Sequence, residues 1–352
     1  MTARPRIHFE FKSRSPSQRE IADRLGLSQA TVALALREHP DIPVVIRAEV
    51  KRVADEIGYR SHPDLRILPD HERTKLPPSR RPSLGWINAW REPARLARHP
   101  DYSGYWRGAC KAASERGYYL EEFRLSPKAT AEELEQQLQM KGFHGILLPP
   151  DGDPTILNLF PWKNYRIVCL SHHTLPFPAN LVGPDQLGNF RLALERMHNS
   201  GYRRIGFLTD RRPEASNDKL SMAAFPYNQC DSLSEGHLPI ATTAENPVPH
   251  QLAEWARSHH LDAILTDLPG AGLLLKRARL RIPEDLGLAF SCRGQIRGWA
   301  GIDCHPEEVG RLGVEILASS IHGDLDGIPS IRIAVEGHWH EGSTLPLAPE
   351  GN

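Results

Sequence analysis

After Ser83 the chain repeats one pattern, a short apolar run of strand length followed by a stretch with apolar residues at helical spacing. The runs are LGWINA, GILLPP, RIVCLS, RIGFLT, DAILTD and LGLAFS. Between them stand WRGACKAASERGY, TAEELEQQLQMKG, LGNFRLALERMHNSGY, HQLAEWARSHH and AGLLLKRARL. A strand that is apolar throughout must be covered on both faces, and the intervening helices supply the cover. The pattern therefore predicts an α/β protein with parallel sheets and helices on either side. There are too many units for one compact sheet, and roughly 270 residues suit two similar α/β lobes.

The chain ahead of this region differs in charge. Residues 1–81 carry five more Lys and Arg than Asp and Glu, and the rest carries five fewer, inside a net charge of zero over 352 residues. Between this basic head and acidic body, PDHERTKLPPSRRPS (Pro69 to Ser83) has four prolines, several charges and almost no apolar residue. It reads as a linker that contributes nothing to a core. A composition of 40% hydrophobic and 24% charged residues excludes a wholly disordered chain. No run approaches the ~20 apolar residues of a membrane span, and MTARPRIHFEFKSRSP lacks the apolar core of an export signal. A cytoplasmic location is expected. Cys110, Cys169, Cys230, Cys292 and Cys304 lie far apart without a CxxC, so reduced thiols are expected.

Within the head, Ser17-Gln18-Arg19-Glu20 matches a capping box, in which hydroxyl and carboxylate each take up a free amide at a helix start. Ile21, Ala22 and Leu25 give that helix an apolar face, and Gly26 ends it. Leu27 enters the core, and Ser28 caps a second helix from Gln29 to Leu36 with Val32 and Leu36 inward. A third helix, about Val44 to Ile57, places Val50, Val53, Ala54 and Ile57 on one face. This is the helix-turn-helix layout, whose second helix enters the major groove by its first residues. The spacing alone fits any small helical bundle equally well.

More residues distinguish the two. Glu20-Ile21-Ala22, the turn Gly26 to Ser28, Thr31-Val32, Arg47, Gly58-Tyr59, Pro63, Arg66 and Leu68 together make the head resemble the LacI family of bacterial transcription regulators. The resemblance implies DNA contacts from Ser17, Ser28, Gln29, Ala30, Thr31, Leu34, Arg37, Arg47, Arg66 and Leu68. Gln29 and Ala30 stand where side chains face base edges; an amide suits adenine and a methyl suits thymine. The usual serine and arginine of the second helix are Ala33 and Leu34 here, and leucine cannot make the bidentate contact to guanine. Arg37 is expected on phosphate. Leu68 falls where the family wedges a leucine into the minor groove.

The likeness continues through the body in Tyr102, Gly108, Ala112 and Gly117-Tyr118, in Gly142 to Leu147, and in Gly201 to Phe207. It ends with Ile282 to Leu286, then Gly301-Ile302-Asp303 and Gly310. It implies a type I periplasmic-binding-protein fold, two lobes with a sugar-sized effector between them, paired into a homodimer. The expected division is a basic tail over 1–15, the helix-turn-helix domain over 16–60, hinge and linker over 61–83, and the body over 84–345. Effector contacts carry over to Tyr102, Ser171, Lys219, Thr266, Asp267 and Cys292. Several are changed from the family: Lys219 replaces an arginine, Thr266 an asparagine, and Ser171 and Cys292 aspartates. With two acceptors lost, a ligand bearing a carboxylate or phosphate would gain a charge-assisted bond from Lys219. Trp90, Phe225, Tyr227 and Trp299 are further candidates for stacking on a sugar.

Of three histidine clusters, His172-His173, His259-His260 and His338-Trp339-His340, only the last puts two imidazoles on one strand face, and no carboxylate or cysteine joins it at ligand spacing. No metal and no cofactor is expected. G-x-S-x-G, H-E-x-x-H and phosphate-loop patterns are missing, so no enzyme is expected. An α/β enzyme acting on a small carbohydrate-like substrate is the alternative reading.

Overall fold

A computed structural model describes residues 18–36, 42–57, 70–77, 81–125, 130–150, 152–158, 162, 165–171, 177–210, 240–243, 249–294, 298–322, 324–325 and 329–348. The head is three helices, α1 (Gln18–Leu25), α2 (Gln29–Leu36) and α3 (Val44–Glu56). Ile21, Ala22, Val32, Ala35, Val50, Val53 and Ala54 form its core, with Leu25, Leu27, Leu36 and Ile57 packed around them. Gly26 takes a left-handed φ of 64°, which lets the chain leave α1 sharply enough for α2 to cross it.

Ahead of the body stands α4 (Asp70–Lys75), inside the segment expected to be a bare linker. That expectation is corrected: Arg73 is 0% exposed and anchors the segment to the first lobe. Its Nε donates to the Arg116 carbonyl (3.1 Å), and its guanidinium lies 4.7 Å from the centre of the Tyr118 ring. Asp70 pairs with it, and its Nη1 meets the His322 ring at 3.1 Å. Burial, then the Arg73 charge, lowers the His322 pKa, so the ring stays neutral beside the cation. A guanidinium can be buried when its donors are satisfied, and composition averaged over the segment hides that one residue.

The body contains two six-stranded sheets. The first is formed by β1 (Ser83–Asn88), β2 (Tyr119–Arg124), β3 (Gly145–Leu148), β4 (Ile167–Cys169), β5 (Asn180–Pro184) and β11 (Arg332–Val335). Their order is β11-β5-β4-β3-β1-β2, and every pairing is parallel. The second sheet takes β6 (Ile205–Asp210), β7 (Ile240–Thr243), β8 (Ala263–Thr266), β9 (Gly287–Phe290), β10 (Ala300–Asp303) and β12 (His338–His340). Its order is β12-β10-β9-β8-β6-β7, with only β12 antiparallel. The six apolar runs expected as strands are β1, β3, β4, β6, β8 and β9.

Helices α5 (Pro93–Arg98), α6 (Pro100–Glu115), α7 (Ala131–Lys141), α8 (Pro154–Leu157) and α12 (Pro306–His322) accompany the first sheet. The second sheet has α9 (Gln186–Asn199), α10 (Pro249–Ser258) and α11 (Ala271–Arg277). Among the described elements the chain passes between lobes three times: from β5 into α9, from β10 into α12, and from β11 to β12.

Helices α6 and α12 pack so closely that glycines form the seam. A Cβ on Gly108 would collide with the Glu307 carbonyl, and one on Gly310 with the Tyr105 carbonyl. Neither backbone can yield, because each belongs to or abuts a helix held on both sides. Gly108→Ala is expected to destabilise the body by about 2–3 kcal/mol through overpacking. Lys111→Ala, exposed on the same helix, should stay within about 0.5 kcal/mol. Thermal denaturation of the two variants checks this, and equal melting points would contradict the seam.

Candidate functional site

In the head the second helix is fixed at its start. The Ser28 Oγ accepts from the Thr31 amide at 3.0 Å and lies 2.8 Å from the Thr31 hydroxyl. The predicted cap is present, and it presents the first turn of α2 as a unit. Leu34 is half-buried, and Arg47 lies on the first turns of α3 beside Val44 and Val45. Those two valines are 70% and 77% exposed, an apolar edge next to the candidate reading helix. Ser17, Arg37, Arg66 and Leu68 lie outside the described residues, as do the side chains of Gln29 and Ala30.

In open parallel sheets a ligand sits beyond the carboxyl ends of the strands. Beyond β1, the Asn88 amide donates to the Pro93 carbonyl (3.1 Å) and to Glu122 (2.8 Å), and its Oδ1 accepts from the Trp90 amide (3.2 Å). The Trp90 ring is buried and its Nε1 donates to the Pro150 carbonyl at 2.8 Å, so it is a fastener of these loops rather than an open platform. Tyr102 is likewise enclosed. It stacks on His99 with ring centres 3.9 Å apart and meets Trp90 edge-on at 5.8 Å. It packs within the core of the first lobe.

Thr266 is likewise engaged inside its lobe. It is fully buried, its hydroxyl donates to the Leu208 carbonyl (2.7 Å), and it accepts from the Leu268 amide (3.0 Å). Both capacities are used inside the lobe. Asp267 is half-buried and accepts from the Thr209 hydroxyl at 3.0 Å. It does not cap α11, whose N-cap is Gly270 without a side-chain bond. Ser171 is buried at the end of β4. Trp299 packs against Phe290 at 4.8 Å, while Lys219, Phe225 and Tyr227 lie outside the described residues. A groove of about 570 Å³ lined by Arg257, His260, Arg279 and Asp285 lies at the opposite, amino end of β8 and β9.

The lobes meet where the chain crosses between them. Asn189, buried near the start of α9, accepts from the Gly337 amide (2.9 Å) and donates to the Cys304 sulfur (3.4 Å). Gly337 belongs to the third crossing and Cys304 to the second. Asp185, in the first, caps α9 through the Gly188 amide (3.0 Å), and its own amide donates to the Val335 carbonyl (2.8 Å). One amide side chain thus ties the crossings together.

Beside this knot, Asp101 of α6 is hydrogen-bonded to the Cys292 thiol, which follows β9 in the other lobe. Burial pushes the Asp101 carboxyl up to about 6, and the neighbouring Asp303 carboxylate adds to the shift. Cys292 is raised well above an ordinary thiol by its hydrogen bond with Cys304, by burial and by Asp101. For Cys304 the bond to Cys292 acts downward, but burial and the two carboxyls outweigh it. Both cysteines therefore remain protonated thiols. Sequence reading placed Cys292 here but missed Asp101 and Asn189; the available signal was an acidic residue one position before Tyr102.

His338 and His340 face each other at 5.2 Å, and among the described residues no group of three His, Cys, Asp or Glu is arranged to hold a metal. No helix among them is long and apolar enough to cross a membrane.

No family model matches the chain. It is 24% identical over 331 residues to the HTH-type transcriptional regulator GntR of Escherichia coli strain K12, covering 89% of this chain and 94% of the relative. The transcriptional regulator CelR–cellobiose complex superposes with a TM-score of 0.60 at 19% identity, covering 94% of this chain and 99% of that one. The lac repressor dimer bound to operator and the anti-inducer ONPF gives 0.58 at 13%, covering 95% and 100%. The fold is therefore a helix-turn-helix head joined to a two-lobed, periplasmic-binding-protein-like body. That is the fold of the LacI family, and this chain carries it from the head to the closing strands.

The raised Asp101 has a consequence for stability. The folded chain holds that proton more tightly than the unfolded chain, whose ordinary value is 3.8. Its contribution is thus most favourable at low pH and is lost as pH rises from about 4 to about 6. Asp101→Asn keeps the shape without the charge. Scanning calorimetry should find it about 2–4 °C more stable than the parent at pH 7.5, as ~1 kcal/mol produces in a domain of this size, with no gain near pH 4. A variant that is less stable at pH 7.5 would contradict the assignment.

Proposed function

We propose that the protein is a sequence-specific, double-stranded-DNA-binding transcription regulator that acts as a homodimer in the cytoplasm under control of a sugar-like effector held between its lobes. The observation that carries this reading is the union, in one chain, of a capped helix-turn-helix head with a body crossed three times at a hinge. The names of its relatives support it: one is a transcriptional regulator, another was solved with cellobiose, a third on its operator. In this reading residues 16–60 read DNA, 84–345 sense the ligand, and 61–83 connect them through α4. Each head offers one short reading helix, so two heads are needed for useful specificity.

Asp267 and Lys219 are the candidate effector contacts that keep a charged group, with Ser171 and Cys292 around them. In the head, Gln29 and Ala30 take the base edges and Arg37 takes phosphate, while Ser17, Thr31, Leu34, Arg47, Arg66 and Leu68 complete the contact surface. No observation favours the alternative of a carbohydrate-acting enzyme.

Selection of bound fragments from random duplexes should return a two-fold symmetric motif. Gln29→Ala should change the preferred base at one position per half-site at a cost of about 1–3 kcal/mol. Arg37→Ala should weaken all sequences alike and flatten the salt dependence. An unsymmetrical motif would remove the dimer, and an unchanged motif in Gln29→Ala would remove the register given to α2.

A further inference from the structure

We propose that Asp101 is the residue by which this cleft selects its ligand, receiving hydroxyl or amine donors from it and turning away a ligand that brings an anion to that end. The inference rests on the effector reading above and specifies the chemistry of that site. Three observations carry it. Asp101 belongs to the first lobe and its described partner, Cys292, to the second, so the carboxyl stands across the boundary that a ligand between the lobes would occupy. Its Oδ1 is sealed from solvent and accepts no hydrogen bond. Among the described residues, the groups recorded around it are not cations: Cys292 follows β9, Cys304 and Asp303 close β10, and Asn189 projects from α9.

Among the described residues, the basic groups of the neighbouring elements have other partners. His340 of β12 is 3.8 Å from Asp303, and Arg293 acts on His340. His99 is stacked on Tyr102. Further along α6, Arg107 is taken by Glu307. A carboxyl so placed is a strong acceptor, and its donor among the described residues is a weak one, the Cys292 thiol. A ligand hydroxyl or ammonium would supply the missing donor and favour the ionised form, so binding should release the Asp101 proton. An anionic group at the same point would meet Asp101 and Asp303 together.

Calorimetric titration of the full chain with D-glucose, D-glucosamine, ribose, cellobiose and D-glucuronate, at about pH 5 and about pH 7.5, tests this. Sugars that bind the parent should bind at least about 5-fold more tightly at the higher pH, because ligand and carboxylate stabilise each other. Asp101→Asn should bind the same sugars about 10-fold more weakly at pH 7.5 and show no pH dependence, while its melting point without ligand is not lowered. The proposal is overturned if Asp101→Asn binds as the parent does. It is overturned equally if the parent's affinity is flat with pH, or if D-glucuronate binds better than D-glucose and the variant keeps that preference. Binding by none of the five in either form would defeat the sugar-effector reading and this inference with it. The DNA-selection experiment is independent of that result and tells the two failures apart.

Discussion

Asn189 ties the molecule together where it most needs to be both joined and movable. Two lobes made from one chain with three crossings leave backbone groups at each crossing outside any sheet ladder, and buried groups of that kind must find partners. The single amide meets two of these demands, at the second and third crossings, and lies in the helix launched by the first. A Cβ on Gly337 would meet the Asn189 Oδ1, so the close approach and the hydrogen bond require each other. The crossings are thus clasped at one point, where backbone groups need partners outside a sheet.

The α6–α12 seam supplies the complementary rigidity. Gly108 and Gly310 bring the helices into backbone contact, so α12, entered from the second lobe, becomes part of the first. Asp101 opens α6 and Pro306 opens α12, with Gly104 against Pro306. The seam therefore fixes Asp101 relative to the second crossing. A shift of the second lobe is felt at the Asp101–Cys292 contact before it is felt within the first lobe.

The parts of the fold legible in the sequence are those whose residues face one environment. β1, β3, β4, β6, β8 and β9 lie inside their sheets, so each is apolar along its length. β2 carries Glu121, Glu122 and Arg124 because it is an edge strand, and mixed exposure erased the signal. β11 and β12 are edge strands too, and their mixed exposure breaks the apolar run in the same way. The Ser28 cap was legible because its partner is three residues away. Arg73 was not, since its burial depends on Arg116, Tyr118 and His322. The packing of Tyr102 on Trp90 and the Thr266 bond to Leu208 were not legible either, since each partner comes from another element. Asp101 escaped because its meaning comes from Cys292, which only folding brings near.

That pairing also explains how the departures from the family pattern belong together. Were residue 292 an aspartate, it would face Asp101 across the boundary, and two carboxylates at close range cannot both ionise. Replacing one of them by a thiol removes the repulsion and leaves a weak donor, so the lobes can approach without a strong bond to hold them. Cys304 behind it keeps the thiol oriented through their mutual hydrogen bond, and Asn189 holds Cys304. The carboxyl at position 101 thus stands opposite a neutral thiol rather than a second acid.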